Sequence, residues 1–266
     1  MSLNVLTAGS GPPMLLLHGF TGSAQTWSAQ VDAWSAGHRL IAPDLLGHAG
    51  SEAPADAAAY ALERQAARLA ELLDLLEAAP ATVVGYSMGA RLALVLALEQ
   101  PQAVGHLVLE SPSAGFADPE ARAERRTADE QLADDIEAGG VEAFVDRWEA
   151  LPLFASQAAL PADVRSQQRA ERRHHTAIGL AASLRGAGQG IMTPLHDRLA
   201  EIGVPTLVLA GALDATGRER ARTVAKGIAG ARLEVVGDAG HTPHLETTDT
   251  FLRITNDFLT ASYATA

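Results

Sequence analysis

The chain of 266 residues contains no cysteine, so neither a disulfide nor a thiolate zinc site is available to it. That suits a reducing compartment. Positive charge is also scarce: 20 basic residues stand against 32 acidic ones, for a formal net charge of -12. A nucleic-acid partner is therefore not expected, because phosphates demand a basic surface. An anionic ligand would be repelled at long range and would need a local basic patch. Lysine is almost missing, with one residue (Lys226) against 19 arginines. No stretch approaches the roughly 20 apolar residues of a membrane span. The first residues, MSLNVLTAGSGPP, lack the basic start and long apolar run of a secretory signal. The expectation is a cytoplasmic protein with no membrane contact and no obligate protein partner.

What is present is a 47% hydrophobic composition, enough for a substantial core, at a length that suits one α/β domain or one with an insertion. Apolar runs at 4–7, 14–17, 40–43, 82–84, 106–111, 205–210 and 232–236 read as strands. Helical patterns at 27–34, 60–77, 90–99, 218–228 and 249–259 separate them. Such alternation with short links predicts a mostly parallel central sheet with helices on both faces. The rhythm breaks after the strand ending at Ser111. Residues 113–200 show helical patterns only, over 115–139, 141–151 and 161–183. A stretch of that length is no loop, so it reads as a helical cap inserted between core segments 1–112 and 201–266.

The most informative stretch is Thr82–Arg91, TVVGYSMGAR. An apolar strand runs into Gly85-Tyr86-Ser87-Met88-Gly89, and a helix follows at once. Strand, G-x-S-x-G and helix is the nucleophile-elbow arrangement, in which the glycines allow a turn too sharp for a Cβ. Ser87 would stand at a helix N-terminus, where free N–H groups favour negative charge. Upstream, a strand ends in His18-Gly19-Phe20, a loop whose Phe20 N–H can serve a developing oxyanion together with that of Met88. His18 is expected to pin loop backbone, and Asp44 and His48 to hold the 44–51 loop. No third ligand near those two supports a metal. No cofactor is implied.

A serine hydroxyl needs a partner to take its proton. In this fold the chain order is Ser, acid, His. Asp214 follows a strand in a turn, and His241 follows the last strand in Ala239-Gly240-His241. His241 is the expected proton acceptor and Asp214 the residue that orients it. Asp238 and His244 are the competing acid and base. Asp238 is only three residues from His241, and His244 is expected instead to pack the loop or bond Glu246.

Beyond this α/β-hydrolase pattern, the chain resembles the 2-succinyl-6-hydroxy-2,4-cyclohexadiene-1-carboxylate synthase family of menaquinone biosynthesis. The resemblance rests on HGFTGS (His18–Ser23), GYSMGAR (Gly85–Arg91), GLAASLRGAGQG (Gly179–Gly190) and AGHTPHLE (Ala239–Glu246). It implies elimination of pyruvate from an enolpyruvyl cyclohexene carboxylate, a small anionic substrate, with Ser87 and His241 as the base. It further implies substrate contacts from Tyr86, Arg91, Arg125, Trp148 and Arg172. Arg91 lies one helical turn past Ser87, so it can lean towards the pocket. Ten of the 20 basic residues fall within 113–200, where 14 acidic ones outnumber them, so most must be solvated surface. The chain departs from the family at Ala215-Thr216-Gly217, where members often carry Lys-Phe, and in the 44–51 loop. A carboxylesterase or a carbon–carbon bond hydrolase would use the same triad. Carboxylate-binding arginines favour the lyase, and an apolar cap lining would favour the hydrolase. A binding protein that has lost turnover is the third reading.

Overall fold

The computed structural model describes residues 2–264; residues 1, 265 and 266, at the ends of the expected core segments, lie outside them. Seven strands form one sheet among the described residues. They are β1 (Val5–Ala8), β2 (Pro13–Leu17), β3 (Arg39–Pro43), β4 (Ala81–Tyr86), β5 (Val104–Glu110), β6 (Thr206–Gly211) and β7 (Arg232–Val236). Their spatial order is β1-β3-β2-β4-β5-β6-β7, with β1 antiparallel and every other neighbour pair parallel. β4 therefore sits at the middle and is buried along its whole length, as a strand covered on both faces must be.

The pleat sorts the apolar side chains into two layers. Leu15, Leu17, Ile41 and Val83 point to the face covered by α2 (Leu62–Leu75), α3 (Met88–Glu99) and α7 (Ala215–Gly227). Met14, Leu16, Leu40 and Val84 point to the other, covered by α1 (Ser28–Trp34) and α8 (Thr248–Tyr263). Helices on both faces follow directly from strands that are apolar on both sides.

Between β5 and β6 the described chain holds helices and no strand: α4 (Pro119–Glu149), α5 (Ala162–Arg173) and α6 (Ala177–Ala187). The two helices expected over 115–139 and 141–151 run together as α4. They are joined at Gly140, whose φ of 77° breaks the helical geometry between them. A 3₁₀ segment at Pro152–Ala159, absent from the sequence pattern, follows. α4 and α6 share a small core of their own, built on Ile136, Phe144, Leu180 and Leu184. Phe20 packs against both this core and the main one, so it stands at the seam.

Candidate active site

β4 ends at Tyr86 and α3 begins at Met88, so Ser87 alone makes the turn. Its φ of 51° is a left-handed conformation that L residues adopt at a cost of about 1–3 kcal/mol. The turn is possible because its flanks are bare. A Cβ on Gly85 would lie 2.5 Å from the Gly89 carbonyl oxygen, and one on Gly89 would lie 2.1 Å from that of Leu17. Ser87 N–H donates to the Glu110 carbonyl at 2.9 Å, which continues the β4–β5 pairing past the strand end.

The other two residues arrive from the ends of β6 and β7. Asp214 caps α7, accepting from Gly217 N–H at 2.8 Å. His241 Nδ1 lies 2.7 Å from Asp214 Oδ2, and its Nε2 lies 3.0 Å from Ser87 Oγ. With Nδ1–H donated to the carboxylate, Nε2 is left to accept the serine proton. Burial pushes the Asp214 carboxyl up, but the bonds from His241 and Gly217 outweigh it and hold the group below its ordinary value. Asp238 makes no such contact with His241.

The loop that carries His241 is tied down three ways. Ser111 Oγ donates to the His241 carbonyl at 2.9 Å. Glu246 accepts from Gly240 N–H at 2.7 Å and from Thr242 N–H at 3.0 Å. His244 was expected to pack the loop or bond Glu246; it bonds Glu110 instead. Its backbone N–H and Nδ1 both reach Glu110 Oε1 at 2.9 Å. The reason is register: Glu110 is the last residue of β5, fully buried beside this loop, and needs donors there. Tyr86 lies against both rings, 5.5 Å from His241 and 4.8 Å from His244 between centroids.

Ser87, His241 and Asp214 open into a cavity of about 340 Å³ beneath α4 and α6. Phe20, Tyr86, Met88, Arg91, Arg125 and Trp148 all line it. Met88 is the first residue of α3, so its N–H is one that the helix leaves unpaired. Arg91 is 6% exposed. It donates to the Ala187 carbonyl at 2.6 Å and, among the described residues, pairs with no carboxylate. Burial above all, then the charge of Arg125, lowers its pKa to about 10. Arg125 Nε donates to Asp129 at 2.7 Å. Trp148 stands edge-on to Phe20 at 5.4 Å, and its buried indole N–H has no partner.

Arg172, expected among the substrate contacts, does not line this cavity. Its guanidinium is held by Glu149 at 3.0 Å and lies over the Phe154 ring, 5.3 Å from the centroid. It lines a smaller adjoining cavity, which shares Phe20, Tyr86 and Phe154 with the first. Arg185 also faces away, joining α6 to Glu130, Asp134 and Glu137 of α4. Sequence reasoning missed Arg220, which lines the cavity from α7. One signal was present: Arg220 lies six residues past Asp214, close enough on the same helix to share its end of the site.

The supporting loops behave as expected. His18 donates from Nδ1 to the Gly19 carbonyl at 2.8 Å and accepts Leu45 N–H at Nε2 at 2.9 Å. Asp44 accepts from Ala24 N–H at 2.7 Å and Gly50 N–H at 3.0 Å. The alanine at position 49, where glycine is common, takes a φ of 42° and donates its N–H to His175 Nδ1 at 2.9 Å. His175 Nε2 in turn donates to the Thr21 carbonyl at 2.8 Å, so one ring ties the inserted helices to two core loops.

Comparison with known proteins bears on the family and the fold. The family model for the alpha/beta hydrolase fold matches residues 12–248. A Bacillus subtilis (strain 168) protein, provisionally named a 2-succinyl-6-hydroxy-2,4-cyclohexadiene-1-carboxylate synthase, is 42% identical over 93% of this chain and 90% of its own. The synthase of that name from Salmonella typhimurium (strain LT2) is 31% identical over 88% of each chain. The chain belongs to the α/β-hydrolase fold family, among its 2-succinyl-6-hydroxy-2,4-cyclohexadiene-1-carboxylate synthase members. The solved structure of MenH from S. aureus superposes with a TM-score of 0.93 at 32% identity, covering 98% of both chains. Among the described residues, no helix is long and apolar enough to cross a membrane, and no three His, Asp or Glu side chains cluster as metal ligands would.

Proposed function

We propose that the protein is a carbon–oxygen lyase that releases pyruvate from an enolpyruvyl cyclohexene carboxylate, the synthase step its relatives are named for. The observation that carries the reading is the lining of the cavity. Arg91 and Arg125 face the same space as Ser87, in a chain whose net charge is -12. An ester hydrolase of neutral substrates has no use for guanidiniums, one of them buried, facing its nucleophile, whereas a substrate with several carboxylates needs them.

In this reading His241 takes the Ser87 proton and Asp214 steadies the imidazolium. The serine oxygen then removes a ring proton rather than attacking a carbonyl. The electron pair left on the ring passes onto the ketone oxygen of the succinyl side chain, where the N–H groups of Phe20 and Met88 would stabilise the anion. Its return expels the enolpyruvyl oxygen, the carbon–oxygen bond breaks, and the enolate takes up a proton to become pyruvate. Asp214, buried and doubly bonded, stays ionised throughout. Tyr86 and Trp148 would line the ring's binding face, and Arg172 would act through Phe154. We place the enzyme in the cytoplasm, with a soluble small-molecule substrate.

The test is pyruvate release from the enolpyruvyl substrate, followed by coupled reduction of the pyruvate, beside a panel of short-chain p-nitrophenyl esters. The reading requires that kcat/KM for the polycarboxylate exceed that for every ester by at least about 100-fold, a preference worth about 3 kcal/mol. A better ester than polycarboxylate would make it a hydrolase.

A further inference from the structure

Three guanidiniums line the cavity, and they come from three separate elements. Arg91 belongs to α3, Arg125 to α4 and Arg220 to α7. Two carboxylates share the lining, Asp129 and Asp214. Both are already used: Asp129 by Arg125 Nε and the Gly190 N–H, Asp214 by His241 and the Gly217 N–H. Among the described residues Arg220 has no ion pair and no hydrogen bond. It is held instead over the Phe116 ring, 5.5 Å from the centroid. That contact fixes the direction of the guanidinium while leaving its donors free. Thr216 and Gly217, the lining residues one turn earlier on α7, are short and leave its stem a path to the cavity.

Burial, and after it the nearby Arg125 charge, hold Arg220 below its ordinary pKa, with Asp214 opposing them. Arg91 feels both of the other guanidiniums in the same sense. Three like charges drawn together with no free carboxylate is an arrangement that costs stability unless an anion completes it. The arrangement also has a geometric consequence. Arg220 sits on the sheet side of the cavity and Arg125 on the inserted helices, so one ligand with carboxylates at both ends would tie the two together.

We propose that Arg220 is a carboxylate-binding, specificity-determining residue of this cavity, paired across it with Arg125 to select substrates carrying at least two separated carboxylates. This rests on the proposed function for the substrate's identity, but its test does not. Propane-1,2,3-tricarboxylate is titrated calorimetrically into the full chain, into Arg220→Gln and Arg220→Lys, and into Arg222→Gln. Arg222 lies on the same helix, paired with Glu219 and outside the cavity, so its replacement removes the same charge without touching the site. The wild-type chain should bind. Arg220→Gln should raise Kd roughly 10- to 100-fold, as loss of a charged donor does. Arg220→Lys should raise it less, because a point charge keeps the attraction and loses the fork. Arg222→Gln should change it less than about twofold. No binding to the wild-type chain, an unchanged Kd in Arg220→Gln, or an equal loss in Arg222→Gln would each overturn the proposal. Should Arg220→Gln fold poorly by circular dichroism, Arg220→Lys carries the test. Tricarboxylate binding with the expected variant pattern but no pyruvate release would uphold Arg220 and remove the lyase reading.

Discussion

Replacing Arg91 by methionine separates what the residue does for the fold from what it does for the substrate. Methionine keeps the apolar stem and removes the charge. Burial drops the Arg91 pKa from its ordinary value to about 10. That drop corresponds to about 3 kcal/mol set against the folded state by keeping the cation inside. The sign follows from the direction. Both states are protonated below about 10, so at neutral pH the penalty is complete and does not vary with pH. It is relieved only as pH rises above the folded value. Against this stands the bond to the Ala187 carbonyl, 2.6 Å long, whose loss leaves a buried acceptor unmet at about 1–3 kcal/mol. The two nearly cancel, with about 0–2 kcal/mol left in favour of the variant. Arg91→Met should therefore melt at or a few degrees above the wild-type temperature in calorimetry at pH 7. The same variant should lose about 2–5 kcal/mol in kcat/KM towards the polycarboxylate, the usual consequence of removing one side of a buried charged contact. A clear fall in Tm would show that the arginine is there for structure. Equal losses with the polycarboxylate and p-nitrophenyl acetate would show that it does not recognise carboxylates.

Ser87→Gly should abolish turnover and stabilise the fold by about 1 kcal/mol or more, because glycine relieves the left-handed conformation at φ 51°; urea unfolding reads the gain, and a loss of stability would refute the strain. Asp214→Asn should lower kcat by about 10⁴ with little effect on KM, since the amide cannot fix the same His241 tautomer; steady-state kinetics on the polycarboxylate checks this. Protein stability should also fall on acidification, with His18 among the causes. Burial lowers it from 6.5 to about 4, and burial likewise lowers His48, edge-on to His18, and His175, edge-on to His48. The unfolded chain takes up the His18 proton below about pH 6.5, while the folded one refuses it until about pH 4. His18 alone should then remove about 3 kcal/mol across that window, measurable as the pH dependence of urea midpoints. Glu110→Ala should cost about 3–5 kcal/mol by stranding His244, and Glu110→Gln less; equal melting of the two would refute the pairing.

The parts of this protein legible in the sequence are those set by local rules. Gly85 and Gly89 around Ser87 announce the bend because only a bare backbone can pass there, and the strand and helix beside them obey their own periodicities. Asp214 and His241 could be named because each directly follows an apolar run, and parallel strands bring such positions to one edge of a sheet. Arg91 could be named because it is one turn from Ser87 on the same helix. Cap elements were harder to bound. The Gly-Gly pair at 139–140 reads as a gap between helices, and the non-helical backbone of Gly140 makes it one, although the two helices follow each other without a loop.

Pairings across the chain were decided only by tertiary structure. Whether His244 meets Glu246 or Glu110 depends on where β5 ends beside the last loop, and nothing near position 244 encodes that. Among the arginines, Arg172 lines a smaller cavity beside that of the triad, and Arg220, not named from the sequence, lines the triad's own. Glu149 holds the first behind Phe154, while the second, on an ordinary-looking surface helix, turns into the cavity. Sequence determined the backbone bend and the residue types able to do chemistry, because those follow from sterics and from periodicity over a few residues. Which charges were satisfied by neighbours and which were left facing the cavity was settled by packing between separate elements, 23 residues apart for Arg172 and Glu149 and 134 for His244 and Glu110, a choice no local rule can make.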